Sequence, residues 1–404
     1  MTENEKPQPA SDQEPPQTST WMARATGVGT STARALLLPT LAMITALVIG
    51  AIIIAFSDVE TLGILFDDPG TALGQMWTDI SVAYRALFRG SVGSVNAISE
   101  TLFAATPLLL AGLGVALGFR AGLFNIGAQG QMVMGALLAT YVGLYVDAPT
   151  VLHLPLALLA GMVGGMIWGG LAGLLKARTG AHEVITTIMG NFIAVFFIQW
   201  ILTTEPLQDP GRNNPVSAAL AETAQLPRLF GSQYRVTVGL LVAIAAVFGV
   251  QWLLYRSSIG FEFRAVGSNP HAGKYAGMNV ALVVTLAMAI AGGLAGVAGA
   301  NQVMGLEPYK ASPALAGAVG FDAITVALLG RSNPIGVLWA ALLFGGLAAG
   351  GREMQGAAQI PIDLVVVLQA LIVIFVAAPG MIRAIYRVKG GDEQTTQLTT
   401  GWGS

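Results

Sequence analysis

The sequence predicts an all-α, polytopic helical membrane protein with about ten transmembrane helices and both termini cytoplasmic. Three observations carry that expectation. The 404 residues are 54% hydrophobic and 10% charged, against about 25% charged in an ordinary soluble domain. Several apolar runs reach the roughly 20 residues that a helix needs to cross the hydrocarbon core, and the roughly ten-residue alternation of a barrel is missing. Lys and Arg divide unevenly between the loops on the two sides, thirteen inner against seven outer when the N-terminus is placed inside, which is the bias expected of cytoplasmic loops.

The chain opens on MTENEKPQPASDQEPPQTST. This stretch is polar and proline-rich, so residues 1–34 read as a disordered cytoplasmic tail rather than a secretory signal. A transmembrane domain is expected over 35–385, with spans at 35–56, 100–118, 128–146, 152–175, 184–204, 236–255, 281–304, 316–330, 335–350 and 362–380. The eighth and ninth are short for a full crossing, so one of them is expected to be broken or re-entrant, buried in protein rather than facing lipid. Between the spans, 57–99 and 205–235 are expected to be extracytoplasmic. Within the first, Met76, Ile80, Tyr84 and Leu87/Phe88 recur at helical spacing and predict a short amphipathic helix at the outer surface. The second carries Pro, Asn and Gly turn signals and is either a docking surface or a loop sized by the spans it joins. Residues 386–404 read as a flexible cytoplasmic tail. The 51 glycines, well above the roughly 7% that is usual, mainly predict close helix packing, because small residues let backbones approach in lipid.

Two polar clusters interrupt the apolar pattern. In GFRAGLFNIGAQGQ (118–131), Arg120 marks the inner face and Asn125 is a good helix cap, with Gly127 and Gly130 permitting tight turns. Asn125, Gln129 and Gln131 fit either a polar path for a neutral solute or a well-capped re-entrant turn, with the turn favoured. In TGAHEVITTIMGNF (179–192), Glu183 complements the positive end of a helix, while Asn191 lies inside a span and either lines a path or bonds to a neighbouring helix. Asp322 and Asp363 read as caps of short or starting helices. A faint echo links the turn after Val115–Arg120 with that after Val326–Arg331, and shared turn chemistry accounts for it as well as duplication does.

Other chemistry is missing. There are no cysteines, and His182 with Glu183 lacks the HExxH spacing of a zinc site, so no metal is expected. The spans carry neither paired carboxylates for ion coupling nor a regularly spaced arginine series. A phosphate loop at GSNPHAGKY (267–275) fails because five residues separate its glycines and Tyr275 replaces the Ser or Thr that would hold magnesium. What is left is RSSIGFEFRAVGSNPHAGKYAGM (256–278), a long basic, glycine-punctuated insertion on the inner side. Arg256, Arg264 and Lys274 supply charge, Gly260, Gly267 and Gly277 bends, and Phe261, Phe263 and Tyr275 anchors for a groove on a partner that supplies energy.

Together with ETLFAATPLLLAGLGVALGFRAGLFNIGAQGQ, EVITTIMGNFIA and GFDAITVALLGRSNPIG, that loop resembles the bacterial ABC-transporter permeases of the branched-chain amino acid and simple-sugar group, nearest to nucleoside importer permeases. The resemblance covers roughly 95–385. It implies a non-enzymatic permease subunit in the bacterial cytoplasmic (inner) membrane, importing a small polar solute, nucleosides first, with a simple sugar or branched-chain amino acid as the alternative. It further implies cytoplasmic ABC ATPase subunits, a second related permease and an extracytoplasmic substrate-binding lipoprotein as partners, and no nucleic acid or cofactor. By position Gly260, Arg264, Gly267, Asn269, Pro270, Ala276 and Gly277 match the family's coupling loop, and Asn125, Gln129, Gln131 and Asn191 are the residues carried over to the substrate path. Gln129 stands where these permeases usually have Glu, and His182 where Asn is usual.

Overall fold

The computed structural model describes Leu37, residues 40–358 and residues 361–387. The expected tails, 1–34 and the part of 386–404 beyond Arg387, lie outside them. The described residues are helical with no strand beyond two isolated bridges, Gln208 with Ser217 and Arg228 with Thr237. The helices are α1 (Thr40–Ala55), α2 (Val59–Ile64), α3 (Pro69–Val92), α4 (Val95–Arg120), α5 (Ala128–Tyr145), α6 (Thr150–Thr179), α7 (Glu183–Ile201), α8 (Gly239–Arg256), α9 (Ser258–Ser268), α10 (Pro270–Tyr275), α11 (Val280–Gly305), α12 (Val319–Leu329), α13 (Pro334–Ala358), α14 (Ile362–Ala377) and α15 (Pro379–Tyr386).

Each of the ten apolar runs falls on a helix, but length and composition qualify fewer as crossings. Six helices, α4, α6, α7, α8, α11 and α13, are long and apolar enough to span a membrane, and a seventh span results if the bent pair α14–α15 counts as one. Polar Gln129 and Gln131 in its first turn dilute α5. The eighth run is the 11-residue half-helix α12, whereas the ninth, expected to be short, is the 25-residue α13.

α4 is the axis of the bundle. Every residue from Ala105 to Gly118 is buried, covered by α13, α11 and α12. α7 presents Ile185, Met189, Phe192, Ile193, Phe196 and Trp200 outward, the apolar exterior that a bundle in lipid needs. α6 and α11 meet backbone to backbone. A Cβ on Gly165 would lie 2.0 Å from the Gly292 carbonyl oxygen, and one on Gly296 would lie 2.2 Å from that of Gly161. α5 joins the same seam, where a Cβ on Gly135 would reach 2.3 Å from the Gly296 Cα. This is where much of the glycine surplus goes.

The helical stripe at Met76, Ile80, Tyr84 and Leu87 extends over the full 24 residues of α3 and packs along α13 and α4. Asp68 caps it through the Thr71 amide at 3.2 Å. At the end of the bundle opposite α9 and α10, the segment 205–235 is laid onto the 304–311 turn. The Leu226 amide donates to the Met304 carbonyl at 2.8 Å, and the Ser217 and Leu220 amides to Ala311 and Tyr309. Lys310 holds Asp209 at 2.7 Å, and Glu100 receives both Arg235 and Arg352 at 2.9 and 3.1 Å. His153 is wholly buried beneath this segment, with Thr223 at 2.8 Å on one ring nitrogen and the Val142 carbonyl on the other.

Candidate functional site

The 256–278 loop folds into two short helices pressed on one end of the bundle. Ser257 accepts from the Gly260 amide at 3.0 Å and starts α9. Gly260, Phe263 and Val266 form its buried face. A Cβ on Gly260 would fall 1.8 Å from the Leu253 carbonyl oxygen, so glycine lets α9 fold back tightly on α8. Arg264 lies over the Tyr255 ring at 5.4 Å, a cation–π contact that orients it. Asn269 caps α10 through the Ala272 amide at 3.0 Å, and Pro270 takes the first helical position, where its missing N–H costs nothing. α10 ends in a turn in which Met278 donates to the Gly273 carbonyl and Gly277 to that of Lys274, with Gly277 at φ 83°, the left-handed residue that such a cap requires.

What this leaves outward is the rim Ser268–Ala272 and Lys274–Gly277, with the Tyr275 side chain almost fully exposed. Phe261 is exposed as well. Phe263 is not: it is 0% exposed in the bundle's own core, so only two of the three expected anchors are offered to a partner.

The four amide residues expected along a solute path come together at a single junction, and each is buried. Asn125 and Gln131 bond reciprocally at 3.0 and 3.1 Å, while the Asn125 Oδ1 also accepts from the Gly127 amide at 2.9 Å. α5 begins at Gly127 and α12 at Ala318, neither of which has a side chain able to cap. Their caps arrive from other helices. Asn191 on α7 accepts from the Gly130 amide at 2.8 Å and donates to the Ile126 carbonyl at 2.9 Å. Gln129 on α5 accepts from the Gly320 amide at 2.7 Å and donates to the Leu315 carbonyl at 2.9 Å. α7 thus caps α5, and α5 caps α12, satisfying donors that would otherwise be unpaired within an apolar bundle. These amides are engaged inside the protein, and a solute touching them has to exchange for those bonds.

Two of the three expected acidic caps, Asp322 and Asp363, do not cap. Asp322 lies in the first turn of α12 without capping it, because Gln129 takes that role. Asp363 lies in the first turn of α14 behind Pro361 and makes no capping bond. Glu183 opens α7 and receives Lys176 at 2.5 Å. Among the described residues no group of His, Asp and Glu is placed to hold a metal.

Arg120 and Gly122 gain importance that the sequence alone did not assign. Arg120, expected only to mark a face, donates from Nε to the Ser332 carbonyl at 2.9 Å and from Nη2 to that of Arg331 at 3.4 Å. Arg331 and Ser332 have φ of 52° and 50°, a left-handed pair costing about 1–2 kcal/mol per residue without glycine. Gly122, at φ 71°, ends α4 with the same 6→1 and 5→2 bonds that end α12, Leu123 to Gly118 and Ser332 to Ala327 being the outer ones. Shared turn chemistry is therefore enough to explain the echo between the two segments.

Residues 97–377 match a family model described as branched-chain amino acid transport system, permease component. The chain is 36% identical to the guanosine ABC transporter permease protein NupP of Bacillus subtilis over 350 residues, 87% of this chain and 95% of that one. It is 37% identical to a glucose ABC transporter permease protein of Haloferax volcanii over 328 residues, 79% and 86% of the two chains. A nucleoside ABC transporter permease protein of Lactococcus lactis, NupB, is 35% identical over 309 residues, 75% and 85% of the two. No solved structure gives a match.

Proposed function

Because the chain belongs to the branched-chain amino acid transport system permease family, a family of ABC transport subunits, we propose that it is one membrane-spanning permease subunit of a nucleoside importer whose energy comes from separate ATPase subunits. The observation that carries the reading is the α9–α10 surface. It is bound tightly to the bundle by Gly260, Phe263 and Val266, and offers Phe261, Lys274 and Tyr275 outward. A surface rigid behind and exposed in front suits a lever. In this reading α9 and α10 face the cytoplasm, the 205–235 segment faces outward toward a substrate-binding lipoprotein, and a second related permease completes the pathway in the bacterial inner membrane. ATPase closure displaces α9, the bundle rocks, and a nucleoside delivered from outside is released inside. The substrate-path role of Asn125, Gln129, Gln131 and Asn191 belongs to this proposal, with their internal bonds exchanged as the pathway opens.

Nucleoside is preferred because two of the three relatives named above transport guanosine or nucleosides by name; the glucose permease supports a sugar as the second reading. Reconstitution of the complex in liposomes separates them. ATP-dependent uptake of radiolabelled guanosine, competed by other nucleosides and not by glucose, is the expected result. Uptake driven by an ion gradient without the ATPase would overturn the importer assignment, and competition by glucose alone would overturn the solute.

A further inference from the structure

Arg120 joins the landing site of α9 to α5 and α12, the two helices capped from elsewhere. A Cβ on Gly267 would lie 2.5 Å from the Arg120 carbonyl oxygen, 2.6 Å from the Ala121 carbonyl carbon and 2.7 Å from the Gly122 nitrogen. A Cβ on Gly122 would in turn lie 2.8 Å from the Gly267 carbonyl oxygen. Backbone rests on backbone there, and no side chain is available to absorb a displacement. From residues 120–122 two routes lead inward. One is covalent, through Leu123 and Phe124 to Asn125 and the start of α5. The other is the Arg120 guanidinium, which grips the Arg331 and Ser332 carbonyls at the end of α12. α12 is a rod of 11 residues, about 16 Å at 1.5 Å per residue, and its far end returns to α5 through the Gly320 amide on Gln129. The two routes close a ring on which α9 rests, from Arg120 through α12, Gln129 and the start of α5 back to Arg120.

Building on the importer function proposed above, we infer that Arg120 is a positioning residue for transport, passing displacement of α9 to α12, and that the Gln129–Gly320 hydrogen bond is the link that opens and re-forms in each cycle. A ring tied at both ends of a rigid rod cannot shear at one end without releasing the other. Gln129 makes two bonds at that end, from the Gly320 amide and to the Leu315 carbonyl, and both are released together if its one side chain swings away.

Arg120→Ala tests this, because the contacts to Gly267 come from the backbone of 120–122 and are kept. In the reconstituted complex, ATP hydrolysis should stay within about twofold while guanosine taken up per ATP falls about tenfold or more. Arg120→Lys, which keeps the charge without the two-pronged grip, should fall between. A ratio equal to that of the parent chain in both variants would overturn the role. A second measurement does not depend on the solute. The chain has no cysteine, so nitroxide labels can be placed on Met189→Cys and Phe321→Cys, both exposed, on the helices flanking the junction. ATP with vanadate should shift the distance between them in the parent, and Arg120→Ala should abolish the shift. No shift in the parent, or the same shift in the variant, would overturn the relay. A parent that shows the shift but takes up no guanosine would count against the nucleoside reading alone.

Discussion

Asn191 shows how much one side chain does at this junction. Its amide is both acceptor for the Gly130 N–H and donor to the Ile126 carbonyl, so removing it strands one donor and one acceptor in an apolar surrounding. Asn191→Leu should destabilise the protein by about 1–3 kcal/mol, the cost of a buried polar group left unpaired. Asn191→Asp keeps the acceptor but sets a buried carboxylate against the Ile126 carbonyl, and should cost at least as much. Thermal unfolding in detergent measures both, and a Leu variant as stable as the parent would refute the capping role. The polarity of Asn191 in a span is legible in the sequence. Its partner is not, because the need it meets lies at Gly127, a cap position with no side chain, on a different helix. Gln129 and Gly320 are hidden for the same reason. Phe263 is a different case, because the signal was present. Gly260, Phe263 and Val266 recur every three residues and form one helical face, a pattern of burial that outweighs the reading of an aromatic residue as an exposed anchor.

At the scale of elements, the seam between α6 and α11 sets the helix separation. The Gly165 Cβ position already lies 2.0 Å from the Gly292 carbonyl oxygen, so Gly165→Leu must push the helices apart. It should lower stability by about 1–3 kcal/mol or more, read as a lower melting temperature and loss of monodisperse protein on size exclusion. Gly249→Leu is the control, because nothing lies within 4 Å of its Cβ position on the exposed side of α8; equal damage from both would refute the seam. Elements were the most legible level. Long apolar runs crossing an apolar solvent have few alternatives to helix, so each expected span falls on one. Helices that do not depend on an apolar run are harder to delimit. α3 extends well beyond its readable stripe because Asp68 and Pro69 start it early, and α13 extends past Arg352 and Glu353, charged residues that end an apolar count but not a helix.

For the whole molecule, the end opposite α9 and α10 is tied by ions rather than by glycine. Hydrogen bonding from Lys310 foremost, then from the Gly211 amide, holds the Asp209 carboxyl below its usual value. A carboxylate with a folded pKa below its unfolded one contributes stability above the unfolded value, about 4, and loses it as pH falls through the lower folded value. The parent should therefore lose melting temperature on acidification from about pH 4 downward, and Asp209→Asn should lose less over the same window. An identical acid response in the two would show that this tie does not hold the 205–235 segment down. The arrangement of that segment was not legible beyond its turn residues, since its anchors at Met304, Tyr309 and Ala311 are backbone groups whose use no residue type announces.

The capping of α5 and α12 by other helices also constrains how the chain is made. The Asn125–Gln131 pair is complete as soon as α5 emerges, its members being six positions apart. The Gly130 amide, however, waits for a partner 61 residues later, and Gln129 for one 191 residues later. Until those residues are synthesised, the start of α5 carries polar groups that lipid will not accept. α5 is therefore expected to finish settling late, after α12 has been delivered beside it, and stable insertion of α5 in a chain ended before α12 would refute this.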